Sequence, residues 1–85
     1  MAEVSADTPQ IRESLRRVLS LWEEQLSSAL TEGQRQGSIR NDLPADDLAA
    51  FLIDSYEGAV LRTRLEKRPR ALEYFVKVVF SSIIA

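Results

Sequence analysis

From Ile11 onward, apolar residues recur in steps of three, four and one: Ile11, Leu15, Val18, Leu19, Trp22, Leu26, Ala29 and Leu30, with Arg12, Arg16, Arg17, Glu23, Glu24 and Gln25 between them. That period describes one face of an α-helix. Thr8 followed by Pro9 gives it a start. A threonine oxygen can accept a first-turn N–H, and proline at the first helical position gives up an N–H that has no partner there anyway. Gly33 continues the stripe and Gly37 closes it, because glycine tolerates the left-handed conformation that ends helices. The first helix is therefore expected to end near Gln36. Residues 1–7 show no periodicity and read as a flexible N-terminal segment, with the folded domain over 8–85.

The stretch SIRNDLP is a short polar connector, and Pro44 with Asp46 and Asp47 marks the next start, acidic groups lying beside the positive end of the helix dipole. The second helix is apolar on more than one side. Ala49, Ile53, Tyr56 and Val60 form one line, and Phe51, Ser55, Gly58 and Arg62 form another of mostly smaller residues. Cations at Arg62, Arg64, Lys67 and Arg68 suit a helix C-terminus, and Pro69 disfavours helix in the residue before it, so the break is expected at Lys67 to Pro69. A third helix is expected to start with Pro69 at its first position and to run through Leu72, Phe75, Val76, Val79, Phe80 and Ile83. Its β-branched and aromatic residues also suit a strand, but the chain offers no partner strand, which decides for helix.

The fold class is thus all-α, a three-helix unit. In a lone three-helix domain each helix shows one apolar stripe to a single core. The second and third helices show two, so each is expected to pack on helix one with one side and on another subunit, or on further parts of the polypeptide, with the other. Two antiparallel helices from each of two chains make an intermolecular four-helix bundle in a homodimer. Phe51, Ser55, Gly58, Arg62, Phe75 and Val79 are the interface candidates. Gly58 inside a helix costs about 0.5–1 kcal/mol relative to alanine, and close helix packing would offset it.

Composition narrows the chemistry. Of the 85 residues, 45% are hydrophobic and 28% charged, too apolar for intrinsic disorder. A chain this short buries a modest share of its surface, so a partner surface matters. With no Cys there is no disulfide or thiolate site, and with no His the usual general base and zinc ligand are gone too. An enzyme is not expected, and neither is a metal or other cofactor. The net charge of −2 argues against a surface built throughout for nucleic acid. No apolar run approaches the roughly 20 residues of a membrane span and no secretory signal opens the chain, so a cytoplasmic protein without membrane contact is the expectation.

Individual residues carry two readings. Trp22 is either a pocket-wall aromatic or core. Tyr56 and Glu57 could orient the polar end of a small ligand, though a carboxylate like Glu57 also suits a solvated helix edge. The run Arg62, Arg64, Lys67, Arg68 and Arg70 could touch a polyanion, but it lacks interleaved aromatics and a helix terminus accounts for it. Asp42, Asp46 and Asp47 lack calcium-loop spacing and serve as helix-start charges.

The ordered set EGQRQGSIR, then Leu48–Ala49 inside an acidic helix start, then Glu57–Gly58–Ala59, then an amphipathic terminal helix resembles the C-terminal half of TetR/AcrR-family transcriptional regulators, over about Thr8 to Ala85. The resemblance implies an all-α regulatory domain whose last two helices dimerise and whose preceding helix walls a pocket for a small, often apolar effector. Trp22, Ile53, Tyr56 and Glu57 are the pocket candidates. It also implies that DNA is read by a separate N-terminal helix-turn-helix head, expected to be absent from these residues. The competing expectation is a stand-alone helical adaptor that receives another protein's amphipathic helix.

Overall fold

A computed structural model describes residues 8–84, so the expected flexible segment 1–7 lies outside the described residues. Three helices follow in order: α1 (Pro9–Gln36), α2 (Ala45–Glu66) and α3 (Arg70–Ser82). Thr8 stands at the start of α1 with extended backbone, and its carbonyl accepts the Arg12 N–H at 2.8 Å, but its hydroxyl makes no capping bond. The start therefore rests on Pro9. At the other end Gly37 adopts φ 84°, and the Ser38 N–H turns back onto the Gly33 carbonyl at 2.9 Å. The Ile39 N–H reaches the same carbonyl at 3.2 Å, which lays the Ile39 side chain across Gly33. Any side chain at Gly33 would overlap Ile39, so this glycine is fixed by close approach and Gly37 by its dihedral.

The connector is held from both sides. The Gln34 side-chain amide donates to the carbonyls of Arg40 (3.0 Å) and Leu43 (2.8 Å), and Arg40 grips Asp42 through two bonds of 2.7 and 2.6 Å. The Arg40 N–H donates to the Ile83 carbonyl at 2.8 Å, and Ile39 and Ile84 pair antiparallel, fastening the end of α3 to the α1–α2 loop. Ser27 of α1 also donates to Asp46 in the first turn of α2.

The core sits at this same end. Leu30 of α1, Leu48, Ala49 and Leu52 of α2, and Ile83 just past α3 form the buried cluster, with Leu26, Ile39, Phe75 and Val79 packed around it. Ile53 is buried as well. The helices splay away from this end, and the molecule is a plate of 43 × 31 × 14 Å. Its radius of gyration is 15.0 Å, against about 12 Å for a compact domain of this length. α2 is the middle member, packed on α1 and on α3, while α3 does not pack along α1. This corrects the expectation that both later helices lie on helix one. α3 reaches the common core through Phe75, Val79 and Ile83, all on the side that it turns to α2.

α2 ends at Lys67, whose φ of 57° is left-handed. Pro69 forbids a continuing helix, and the chain turns within three residues at the cost of one strained non-glycine. Glu66 ties the two helices together across this turn. Its carboxylate accepts Arg62 at 3.1 Å and Arg70 at 2.9 Å, joining the last residue of α2 to the first of α3, with Arg68 nearby at 4.0 Å. α3 begins at Arg70, one residue later than expected, because Pro69 takes the capping position with φ −84° and ψ 15° and its carbonyl accepts the Glu73 N–H.

Two outcomes follow from these joints. Gly37→Ala should lower stability by about 1 kcal/mol because of the left-handed dihedral, and Gly33→Leu by roughly 1–3 kcal/mol by displacing Ile39, both read by thermal melting. The bonds from Arg62, first, and from Arg70 hold the Glu66 carboxyl below its usual value of 4.5. A carboxyl with a lowered folded-state value contributes stability that is complete above that usual value and is lost as pH falls through the lowered one. Acidification below pH 4.5 should therefore lower the melting temperature of the wild type. Glu66→Gln should remove part of that acid dependence.

Candidate functional site

Each residue advances an α-helix by 100°, so Phe51 and Ile53 lie about 160° apart around α2 and point to opposite sides of the plate. The Ile53 side faces both neighbours. A hollow of 400 Å³ lies between Trp22, Leu26 and Ala29 of α1 and Ile53, and one of 320 Å³ continues it between Leu26, Ile53, Tyr56, Phe75 and Val79. Leu26 and Ile53 belong to both, which makes one open groove across the three helices. The Tyr56 and Phe75 rings meet edge to face at 5.8 Å and 63°, an arrangement that holds both rings at the groove wall.

Of the residues singled out from sequence for a pocket, Trp22, Ile53 and Tyr56 come together here. Glu57 is exposed and lines neither hollow, since the next step around the helix carries it past the groove edge. The groove has no charged lining residue, and the polar side-chain groups among its lining residues are the Trp22 indole N–H, the Gln25 amide and the Tyr56 hydroxyl. Chemically it suits an uncharged, mainly apolar molecule with one hydrogen-bonding group.

The opposite side of α2 carries Phe51, Ser55, Gly58 and Arg62. Phe51 is 62% exposed and borders a hollow of 420 Å³ floored by Leu43, Leu48, Val78 and Ile83, with Arg40 and Asp47 at the rim. Farther along, Gly58, Leu61, Arg62, Leu65 and Glu66 outline another of 440 Å³. No atom lies within 4 Å of where a Gly58 Cβ would stand, so nothing within the described residues packs against this glycine. Phe75 sits on the groove side with Tyr56, and Val79 lies on the α2–α3 seam and borders hollows on both sides. Leu61 and Leu65, 59% and 76% exposed, were missed from sequence. Their spacing with residues 51, 54 and 58 follows one helix face, and that periodicity is the signal the sequence holds for them.

Several charged groups near these faces are paired locally. Arg62 and Arg70 bond to Glu66, and the Arg70 guanidinium also lies 5.9 Å from the Tyr74 ring centre. Asp46 is engaged by Ser27, and Asp42 by Arg40. Among the described residues no group of three or more acidic side chains is placed to hold a metal ion, and no helix is long and apolar enough to cross a membrane.

Comparison with known proteins supplies the lineage. The family described as "Tetracyclin repressor-like, C-terminal domain" matches residues 1–79. The HTH-type transcriptional repressor DhaR of Mycobacterium sp. (strain GP1) is 39% identical over 82 residues, covering 96% of this chain and 41% of that protein. The transcriptional regulator AcuR of Cereibacter sphaeroides is 33% identical over 75 residues, covering 88% of this chain and 34% of the relative. The crystal structure of a TetR transcriptional regulator from Chloroflexus aurantiacus J-10-fl superimposes with a TM-score of 0.78 at 31% identity, covering 98% of this chain and 44% of that one. The chain thus spans less than half the length of each of these relatives. Three helices with these joints, matched over nearly their whole length, place the chain in the TetR family as a tetracycline-repressor-like C-terminal domain.

Proposed function

We propose that the chain is the ligand-sensing and dimerisation module of a TetR-type bacterial transcriptional repressor, acting by binding rather than catalysis in the cytoplasm. The observation that carries this reading is the two-sidedness of α2, with an uncharged groove along Ile53 and Tyr56 and an uncovered strip along Phe51 and Gly58. The groove wall of Trp22, Ile53 and Tyr56 receives a small, apolar, uncharged effector, with Glu57 outside its contact. The strip packs on a second copy, so that α2 and α3 of two chains form a four-helix bundle with Phe51, Ser55, Gly58 and Arg62 at its centre, Val79 behind them on the seam and Phe75 supporting it from the groove side. Operator DNA is read by another part of such a repressor. The helix-turn-helix in the mycobacterial relative's name supports this division, since the likeness covers 41% of that protein.

Both halves are testable on the chain itself. The one tryptophan, Trp22, lies in the groove, so its fluorescence reports occupancy. Titration with the neutral fluorophore N-phenyl-1-naphthylamine should quench Trp22 saturably, and Tyr56→Glu should weaken binding by more than about tenfold by setting a charge against an apolar ligand. Quenching without saturation would contradict the groove assignment. For the strip, Gly58→Leu fits the open space within one chain and raises helix propensity by roughly 0.5–1 kcal/mol, so the variant should keep its helicity, with a melting temperature lowered only by the lost association. Sedimentation should nevertheless show that association is lost. A dimer as tight as the wild type would remove this strip from the interface, and a monomeric wild type would favour the adaptor reading.

A further inference from the structure

We propose that α2 pairs with α2 of a second copy in an antiparallel, twofold arrangement centred on Gly58, seating Phe51 of each copy against the Leu65 end of the other and setting Asp54 opposite Arg62. This rests on the dimer reading and adds the register.

The first support is shape. Residues 47, 51, 54, 58, 61 and 65 follow one another in steps of four and three, the spacing of a helix-pairing seam. All six are exposed within the chain, and three of them, Phe51, Leu61 and Leu65, are large apolar side chains. Gly58 stands at the middle with empty space where its Cβ would be, so two backbones can approach most closely there. Phe51 and Leu65 are each seven residues from Gly58, about 10.5 Å along the axis in opposite directions. An antiparallel crossing at Gly58 therefore brings the Phe51 ring of one copy to the partner's 440 Å³ hollow between Gly58, Leu61 and Leu65, twice by symmetry.

The second support is charge, and it is independent of the first. Before Gly58, α2 carries Asp46, Asp47, Asp54 and Glu57, and from Gly58 to its end it carries Arg62, Arg64, Lys67 and Arg68 against Glu66 alone. A parallel pair would set like charges together, whereas an antiparallel pair complements itself along the whole length. On the seam, Asp54 and Arg62 lie four residues either side of Gly58 and so face each other across the twofold. Asp54 makes no hydrogen bond or ion pair among the described residues, and the Arg62 guanidinium keeps free donors beyond its bond to Glu66.

The chain contains no cysteine, so single-cysteine variants can be cross-linked without background. A disulfide needs Cα atoms within about 7 Å. Gly58→Cys should therefore oxidise to a linked dimer on a non-reducing gel, while Ser28→Cys, on the outer surface of α1, should not. Phe51→Cys and Leu65→Cys should each stay unlinked alone and link when mixed. In sedimentation, Asp54→Arg should weaken association roughly fivefold and Arg62→Asp in the same chain should restore it. A dimeric chain in which Gly58→Cys does not link, or in which Phe51→Cys links to itself, overturns the register and leaves the dimer standing. So does a charge swap whose losses add instead of cancelling. A monomeric wild type overturns both.

Discussion

α2 carries apolar side chains around most of its circumference, and a helix of that kind has to be covered on every side before the chain is stable in water. α1 and α3 cover two flanks and the buried cluster closes one end, and the strip from Phe51 to Leu65 stays open. The rest of the architecture follows from where those neighbours are spent. α3 lies along α2 and reaches the α1–α2 loop only through Ile83 and Ile84, so the three helices spread into a plate instead of closing on a single centre. A plate has two broad faces. One is the uncharged groove and the other is the strip, and they share the α2–α3 seam at Val79.

That shared seam gives the molecule its economy. The residues that wall the groove and those that line the strip belong to the same short helix, separated by about half a turn of its circumference. Pressure on Tyr56 and Phe75 acts on the spacing of α2 and α3, and that spacing also shapes the hollow beside Phe51. Glu66 pins the far end of the same pair by holding Arg62 and Arg70 across the turn. In the proposed reading, sensing and association are joined by this packing, without any long relay.

Much of this was legible in the sequence because the punctuation is strong. Gly37, Pro44 and Pro69 each act through a backbone rule that holds whatever the surroundings, and the helices begin and end within a residue of where those rules put them. The exception at Pro69 is instructive, since a proline can serve as the cap or as the first helical residue and only the dihedral tells which. What periodicity could not reveal was which neighbour each stripe meets. The apolar face of α3 was plain, but its placement on α2 alone depends on the length of the α2–α3 turn and on the anchoring of Ile83. For the groove, the three residues Trp22, Ile53 and Tyr56 lie on apolar stripes and meet. Glu57 was chosen for its chemistry, and its position around the helix takes it outside. Leu61 and Leu65 went unread because exposed leucines at a helix end resemble ordinary surface until a second helix is imagined against them.

The claim on which the functional reading stands is that the uncovered side of α2 belongs against a second copy of the chain. Light scattering coupled to gel filtration at micromolar concentration measures this without a label or a ligand. The expected result is a single species of twice the 9.6 kDa chain mass, unchanged on dilution across the column. A well-folded species of 9.6 kDa would contradict it, leaving the strip from Phe51 to Leu65 to a different partner.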